Sequence, residues 1–322
     1  MQATIGSNLS RASELIREGH LVAFPTETVY GLGANALNPE AVARIFEAKG
    51  RPHFDPLIVH VPDLSGLEPL TSEVPQIARE LATKFWPGPL TMVLPKTSLV
   101  PDLVTSGLPT VAVRLPKHPL AQELLKQAGV PIAAPSANRF GRLSPTRAEH
   151  VLEQLGHRVD YILDGGPCEV GVESTVVDVT CQPPRLLRPG GVTWEDLQEI
   201  VGHIEIQDTA EEGETPAAPG MLTKHYAPET RVVILDGLDE LQLPRTECCL
   251  LSLGPISGTD GFQAVEILSQ NRDLREAATH FFAAMRRLDV LKSRQIIAIR
   301  FPNEGLGRAL NDRLQRAAQS AE

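Results

Sequence analysis

The chain has 322 residues, enough for two domains, and its 42% hydrophobic and 22% charged content is typical of a globular protein. Its formal net charge of −10 argues against a protein that coats nucleic acid, because phosphate binding requires a basic face. The four cysteines show no C-x-x-C or zinc-binding spacing, which favours a reduced, cytoplasmic protein. No stretch approaches the roughly 18 apolar residues of a membrane span.

Helix and strand patterns alternate over residues 1–206. Ser10 is the predicted N-cap of a first helix that ends near Gly19, and Asn38-Pro39 opens a second helix that Gly50 closes. The main strand patterns are LVAF, PLIVHV, LTMVLP, TVAVRLP, PIAA, YIL and STVVDV. This alternation predicts an α/β domain around a twisted, partly mixed sheet.

Residues 207–228 are acidic and then rich in Pro, Ala and Gly, so we interpret them as a linker. Four strand patterns follow, RVVILDG, CCLLSLG, AVEILS and QIIAIRF, together with the helical patterns REAATHFFAAMRRLDVL and GLGRALNDRLQRAA. They predict a second, smaller α/β domain with a parallel sheet over residues 229–322. Within it, Cys248 and Cys249 lie in an apolar run and are expected to be buried.

A glycine pattern begins at Gly31, where GLGANA satisfies G-x-G-x-x-A. A dinucleotide-binding fingerprint needs its glycines directly at a strand-to-helix turn. Here PTETVY separates the strand from the glycines, and Asn38-Pro39 delays the helix. We therefore favour a tight glycine turn over a nicotinamide-dependent dehydrogenase. A P-loop is excluded, because G-x-x-x-x-G-K-[ST] does not occur.

Two local patterns combine cationic or small polar residues. Lys49 and Arg51 flank Gly50, and Pro52 follows. The pattern indicates either an ordinary helix C-terminus with cationic residues or a rigid phosphate-binding segment. The run AAPSAN from residue 133 is an ordinary loop or a place where a nucleotide approaches the backbone.

Three further residues lie on apolar strands. Burying Arg114 or Arg188 without a partner would be costly, so we expect each of them to form an ion pair or to bind a ligand. A histidine such as His60 is more often a core residue whose ring is hydrogen-bonded within the protein. The sequence has no G-x-S-x-G or H-E-x-x-H motif. Cations and hydroxyls without a nucleophile indicate phosphoryl or nucleotidyl chemistry.

Taken together, these segments resemble the threonylcarbamoyl-AMP synthase family, whose catalytic module is the YrdC-like domain. The matching stretches are PTETVYGLGANAL, IFEAKGRP, PLIVHV, FWPGPLT, TVAVRLP, APSAN, GVESTVVDV and LLRPG, which cover nearly all of residues 14–192. PGMLTKHYAP resembles the linker motif of longer family members, and the tail resembles their C-terminal domain. The resemblance implies a YrdC-like twisted mixed-sheet catalytic domain followed by a smaller Rossmann-like α/β domain.

The resemblance also implies roles for individual residues. The family signature Lys-x-Arg with Ser-x-Asn falls on Lys49, Arg51, Ser136 and Asn138, the implied catalytic residues. The implied threonine-binding residues are Thr28, His60, Arg114, the backbone of Ala134, and Ser174. The implied ATP-binding residues are Arg51, Asp55, Thr110, Ser136, Ser144, Arg188 and Tyr226. Asp55 departs from the pattern, since many relatives carry Asn there, and a carboxylate would repel a triphosphate unless it meets magnesium.

The implied activity is nucleotidyl transfer, in which L-threonine, bicarbonate or CO2 and ATP form threonylcarbamoyl-AMP and pyrophosphate. Magnesium is expected only through ATP, without a protein metal site or organic cofactor, and the product would pass to an enzyme that transfers the threonylcarbamoyl group to tRNA. The leading alternative is a non-enzymatic RNA-binding module of the same fold, and direct RNA contact stays open. A carbamoyl-transfer enzyme of the hydrogenase-maturation type is a further alternative, but the zinc-finger cysteines of that type are missing.

Overall fold

The structure, a computed structural model, describes residues 2–207, 216, 218, 221 and 225–319. Eleven of its strands form one sheet in the order β1-β8-β2-β3-β7-β4-β6-β5-β9-β10-β11. These strands are β1 Thr4–Gly6, β2 Val22–Phe24, β3 Gly31–Asn35, β4 Ile58–His60, β5 Leu90–Pro95, β6 Thr110–Arg114, β7 Ile132–Ala133, β8 Tyr161–Leu163, β9 Thr175–Asp178, β10 Arg185–Arg188 and β11 Glu205–Ile206. The pairs β2–β3 and β5–β6 are antiparallel while β4–β6 and β5–β9 are parallel, which confirms the predicted mixed sheet.

Seven helices pack around this sheet in the described part of the chain: α1 Leu9–Arg17, α2 Pro39–Lys49, α3 Gln76–Phe85, α4 Asp102–Thr105, α5 Pro119–Ala128, α6 Ala148–Leu155 and α7 Trp194–Val201. Asn38 caps α2 by accepting hydrogen bonds from two backbone amides, and Gly50 ends it with φ 63°, as the sequence predicts. The prediction that Ser10 caps α1 is wrong. Asn8 is the cap, because its side chain accepts from the Arg11 amide at 3.0 Å, and Ser10 lies inside the helix.

The predicted glycine turn at Gly31 is also wrong, because these residues form strand β3, antiparallel to β2. A Cβ on Gly33 would lie 2.8 Å from the Phe24 ring and 2.9 Å from Ile132. The glycines therefore let neighbouring side chains pack directly onto the strand. The structure thus agrees with the sequence in disfavouring a dinucleotide-binding turn.

The C-terminal part contains a second sheet of four parallel strands in the order β12-β15-β13-β14. Its elements are β12 Val232–Leu235, β13 Cys248–Ser252, β14 Val265–Ile267, α8 Leu274–Val290, β15 Gln295–Ile299 and α9 Leu306–Gln319. Short 3-10 helices lie at Leu64–Leu67, Leu238–Glu240 and Arg245–Glu247. Cys248 and Cys249 are buried in β13, as the sequence predicts. The four parallel strands, with α8 and α9, confirm the predicted second α/β fold with a parallel sheet.

The two sheets are joined through a shared apolar cluster in which Val29 and Val172, from loops of the large sheet, pack with Tyr226 and Phe282. Gly171 lies so close to α8 that a side chain there would overlap the helix backbone. Of the predicted linker 207–228, residues 208–215, 217, 219, 220 and 222–224 lie outside the described residues. Ala218 is buried against the large sheet. The boundaries at 206 and 228 stay predictions. In the described part of the chain, no helix is long and apolar enough to cross a membrane.

Candidate functional site

A small pocket, here called the central pocket, lies where several strands of the large sheet end. Nine of the residues singled out from the sequence line it: Thr28, Arg51, His60, Arg114, Ala134, Ser136, Ser174, Arg188 and Tyr226. Five others do not line it: Lys49, Asp55, Thr110, Asn138 and Ser144. The enclosed space is about 40 Å³, which holds roughly three waters.

One end of the central pocket combines a cation with a neutral histidine. His60 on β4 and Arg114 on β6 are direct register partners in adjacent parallel strands, so they lie side by side. Burial, together with the charge of Arg114, lowers the pKa of His60 to about 3, so its ring is neutral at physiological pH. Its Nδ1 is buried without a hydrogen-bond partner among the described residues. The Ala134 amide already donates to the Ile58 carbonyl at 2.9 Å, so Ala134 could bind a ligand only through its own carbonyl.

Arg114 is held by a buried carboxylate that the sequence reasoning did not single out. Its Nη2 donates to Glu27 Oε1 at 2.7 Å, and both side chains are at most 5% exposed. The Glu27 backbone carbonyl in turn accepts from the Val170 amide at 2.7 Å. Glu27 lies inside the quoted stretch PTETVYG, between the pocket residues Thr26 and Thr28.

Arg51 reaches the central pocket from the loop after α2. Its guanidinium donates to the Asp55 and Pro56 carbonyls at 3.1 and 2.8 Å, and Nη2 lies 2.9 Å from Asp55 Oδ1. The Asp55 carboxyl is fully buried, and burial raises its pKa although Arg51 opposes this. Asp55 therefore lies against Arg51 rather than in the pocket wall, and its contact with ATP stays a prediction.

Lys49 supports the loop that follows β7. Its Nζ donates to the Ser136 and Asn138 carbonyls, both at 2.6 Å, and burial followed by the Arg51 charge lowers its pKa well below the usual value. The Asn138 side chain donates to the Arg139 and Arg142 carbonyls. The Lys-x-Arg and Ser-x-Asn signature is thus one connected unit, in which Arg51 and Ser136 line the pocket and the other two residues lie behind it.

The opposite wall carries Arg188 and Ser174 from the large sheet. Arg188, at the end of β10, donates to the Ser174 carbonyl at 2.8 Å and to its hydroxyl at 3.1 Å. Ser144 is fully buried and donates to the carboxylate of Glu173. Thr110, by contrast, is the half-buried first residue of β6 and pairs with Pro95 away from the pocket.

Glu173 is balanced by an arginine of the C-terminal domain. Arg313 on α9 has no exposed surface, and its Nε lies 2.9 Å from Glu173 Oε2 while Nη1 donates to the Pro189 carbonyl at 2.8 Å. Burial opposes the charge on Glu173, but Arg313 and Arg188 outweigh it and hold the pKa of Glu173 below its usual range. The same guanidinium lies 5.0 Å from the ring centroid of Tyr226.

The comparisons show which family the chain belongs to. Residues 14–190 match the Sua5/YciO/YrdC family model, described as Telomere recombination, and residues 192–319 match the model described as Threonylcarbamoyl-AMP synthase, C-terminal domain. The chain belongs to the threonylcarbamoyl-AMP synthase family. Curated family members from Pyrococcus abyssi and Bacillus subtilis, both named threonylcarbamoyl-AMP synthase, are each 44% identical to this chain. The matches cover 95% and 98% of this chain and 93% and 94% of those proteins.

The crystal structure of P. abyssi Sua5 complexed with L-threonine matches the whole fold of this family member. The TM-score is 0.89 at 43% identity, over 97% of this chain and 94% of the other. The match covers both domains, so the C-terminal domain, whose sequence resembles that of the family less closely, is also part of the family fold.

Four residues around the pocket were missed by sequence reasoning: Glu27, Glu173, His225 and Arg313. The first two lie inside family stretches quoted above, and the need of buried arginines for counter-ions was the available signal. His225 neighbours Tyr226 with ring centroids 4.1 Å apart, and burial followed by the charges of Arg51 and Lys49 lowers its pKa well below the usual value. Arg313 had no local signal, because a charged residue on an amphipathic helix usually faces solvent.

Proposed function

We propose that this protein condenses L-threonine, bicarbonate or CO2 and ATP into threonylcarbamoyl-AMP and pyrophosphate, a nucleotidyl transfer. The observation that carries the proposal is that Arg51, Arg114 and Arg188, from three separate segments, line one pocket. An amino-acid carboxylate and a polyphosphate both need cationic partners, and guanidinium groups bind either one through paired hydrogen bonds. Family membership supports the same reaction.

The pocket divides into an amino-acid end and a nucleotide end. Arg114 and His60 form the amino-acid end together with Thr28, and the substrate carboxylate binds Arg114. Arg51 and Arg188 lie at the nucleotide end, which Ser136 also lines. Lys49 and Asn138 contribute by holding the Ser136 loop. Asp55, Thr110 and Ser144 do not line the pocket, so the ATP contacts predicted for them stay predictions.

The reaction needs no covalent intermediate on the protein. The threonine amine and bicarbonate or CO2 form a carbamate, and a carbamate oxygen then attacks the α-phosphorus of ATP while pyrophosphate leaves. Arg51 and Arg188 stabilise the charge that develops on the phosphate oxygens. Holding the two reactants in one closed site supplies the proximity that the step requires.

Magnesium arrives with ATP as its counter-ion. Of the buried carboxylates at or next to the pocket, Glu27 and Glu173 are paired with Arg114 and Arg313, and Asp55 lies 2.9 Å from Arg51. In the described ranges, no group of three or more His, Cys, Asp or Glu side chains could hold a metal ion. We expect the phosphates and water to supply the ligands of the ion.

Threonine is chosen through its hydroxyl and its methyl group. One methyl in an apolar pocket discriminates threonine from serine by only about 1–3 kcal/mol. Valine is rejected more strongly if the hydroxyl has a buried partner, and neutral His60 is that partner. His60→Ala should weaken threonine selectivity more than ATP binding, and equal losses for both substrates would refute the assignment.

Tyr226 and His225 form a wall that opens and closes over the nucleotide end. Tyr226 is 1% exposed, and its hydroxyl has no hydrogen-bond partner among the described residues. Closure would exclude water from a carbamate and an adenylate that hydrolyse readily. An unchanged KM for ATP in Tyr226→Ala would contradict this role.

The reaction belongs in the cytoplasm, where the product passes to an enzyme that transfers the threonylcarbamoyl group to tRNA. Direct RNA contact is the competing function. It would appear as salt-dependent RNA binding without ATP turnover.

Pyrophosphate release tests the proposal directly. The full chain is incubated with ATP, magnesium and bicarbonate, and with L-threonine, L-serine, L-valine or no amino acid. We expect release that depends on both threonine and bicarbonate and is lost in Arg51→Ala. A folded wild-type protein without threonine-dependent release would overturn the proposal.

A further inference from the structure

The loop of residues 25–30 joins β2 to β3 at the amino-acid end of the central pocket. Glu27 in this loop is 2% exposed, yet it carries a carboxylate. A buried carboxylate is retained only when it is paired and hydrogen-bonded, so its partners indicate what it does.

Both carboxylate oxygens of Glu27 are fixed by groups from one neighbouring segment. Oε1 accepts from Arg114 Nη2 at 2.7 Å, and Oε2 accepts from the Lys117 backbone amide at 3.0 Å. The Val170 amide fixes the Glu27 backbone from another loop. The carboxylate is therefore anchored independently of Arg114 and can act as a fixed point for it.

The hydrogen bonds of Arg114 leave Nη1 of its guanidinium available for a ligand in the pocket. Nη2 is bonded to Glu27, and Nε donates to the Gly88 carbonyl at 3.4 Å. None of the described residues accepts a hydrogen bond from Nη1, and Arg114 lines the pocket. Arg114 is only 4% exposed, so its contact with bulk solvent is small.

We propose that Glu27 is a positioning residue for the amino-acid substrate, which holds the Arg114 guanidinium so that Nη1 receives the substrate carboxylate. This inference rests on the proposed function. A fixed guanidinium loses less conformational entropy when it binds a carboxylate, since its fork is already oriented.

A simple charge argument predicts the opposite effect and makes the inference testable. A carboxylate 2.7 Å from Arg114 attenuates its positive charge. Replacing Glu27 by a neutral residue would then strengthen binding of the substrate carboxylate. Positioning predicts weaker binding instead, because the freed guanidinium can turn away from the substrate.

The test compares L-threonine with L-threoninamide, which keeps the amine and hydroxyl but lacks the carboxylate. In Glu27→Gln we expect kcat/KM for threonine to fall about 10- to 100-fold, the effect of losing one charge-assisted contact. The kcat/KM for threoninamide and the KM for ATP should both stay near the wild-type values. Glu266→Gln is the matched control, because it makes the same change in an ion pair with Arg287 in the C-terminal domain.

Three results would overturn the inference: an unchanged kcat/KM for threonine, an increased one, or an equal fall for both substrates. Should Glu27→Gln fail to fold, Glu27→Asp decides, because it keeps the charge but shortens the reach to Arg114. An undiminished preference for threonine over threoninamide in Glu27→Asp would overturn it. A wild-type protein without threonine-dependent release overturns the proposed function as well, whereas an active wild type with a parallel fall in Glu27→Gln overturns only the positioning role.

Discussion

Replacing Arg313 with methionine should destabilise the protein by leaving Glu173 charged, buried and without its main cation. Methionine keeps much of the side-chain volume, so the change isolates the loss of charge and hydrogen bonds. The ion pair joins Nε to Oε2 at 2.9 Å, with side chains 0% and 6% exposed. Asp312, the other partner of Arg313, keeps a hydrogen bond from Arg316 at 2.8 Å. Glu173 is therefore the group left unbalanced.

The magnitude follows from this burial. Removing one partner of a buried ion pair costs about 3–5 kcal/mol. Unfolding entropy of about 2.1 cal/mol/K per residue, taken over 322 residues, gives about 0.7 kcal/mol/K when the two domains unfold together. The expected fall in Tm is then about 4–7 °C.

Thermal unfolding of four proteins measures the effect: wild type, Arg313→Met, Glu173→Gln and the double variant. The double variant should recover much of the loss, because no unbalanced charge remains in it. Arg308→Met is the matched control. Arg308 lies on the same helix and also crosses to the other domain, but its pair with Glu195 spans 3.7 Å and is partly exposed, so we expect a much smaller shift.

Two outcomes would refute this reasoning. One is a Tm for Arg313→Met no lower than that of Arg308→Met. The other is a double variant whose loss equals the sum of the two single losses, since independent contributions would mean that Arg313 does not balance Glu173.

Two further predictions concern pH and packing. The pKa of folded His60 is about 3, so below its ordinary value near 6.5 the unfolded state binds a proton that the folded state does not. The contribution of neutral His60 to the free energy of unfolding is therefore complete above pH 6.5 and falls by up to about 1.4 kcal/mol per pH unit below it. The Tm of the wild type should drop between pH 7 and 5, and that of His60→Gln should drop less steeply. The exposed control His157→Gln should show the same slope as the wild type. A slope that His60→Gln leaves unaltered would contradict the buried neutral ring. Gly33→Ala should lower the free energy of unfolding by about 1–3 kcal/mol, because the new Cβ would lie within 3 Å of Phe24 and Ile132. An unchanged Tm would show that these two side chains can move aside at no cost.

The sequence predicts the fold class because that depends on local patterns, whereas the candidate pocket residues come from the family resemblance. Apolar strand runs, Asn38 and Gly50 each act within a few residues, and the structure agrees with them. The cap of α1 was missed because Asn8 and Ser10 are both good N-cap residues two positions apart. The strand at Gly31 was missed because it depends on a contact with the Phe24 ring across the sheet.

Which residues of a family stretch face the pocket is harder to predict. Lys49 is the last residue of α2, and Arg51 follows the Gly50 cap, so helical periodicity no longer assigns a direction to Arg51. Glu27 lies in a stretch whose local pattern gives no sign of its partner, although an arginine on a buried strand requires an anion nearby. Arg313 lies 140 residues from Glu173 along the chain, so no local pattern could connect them.

The ion pair between Glu173 and Arg313 also constrains how this architecture can change during evolution. A gene fusion that exchanged the C-terminal domain for one without a cation at this place would leave Glu173 without its main cation beside the central pocket. Losing the domain altogether would have the same effect unless position 173 changed as well. Substitutions at 173 and 313 should therefore occur together, and an engineered single-domain version should begin from Glu173→Gln.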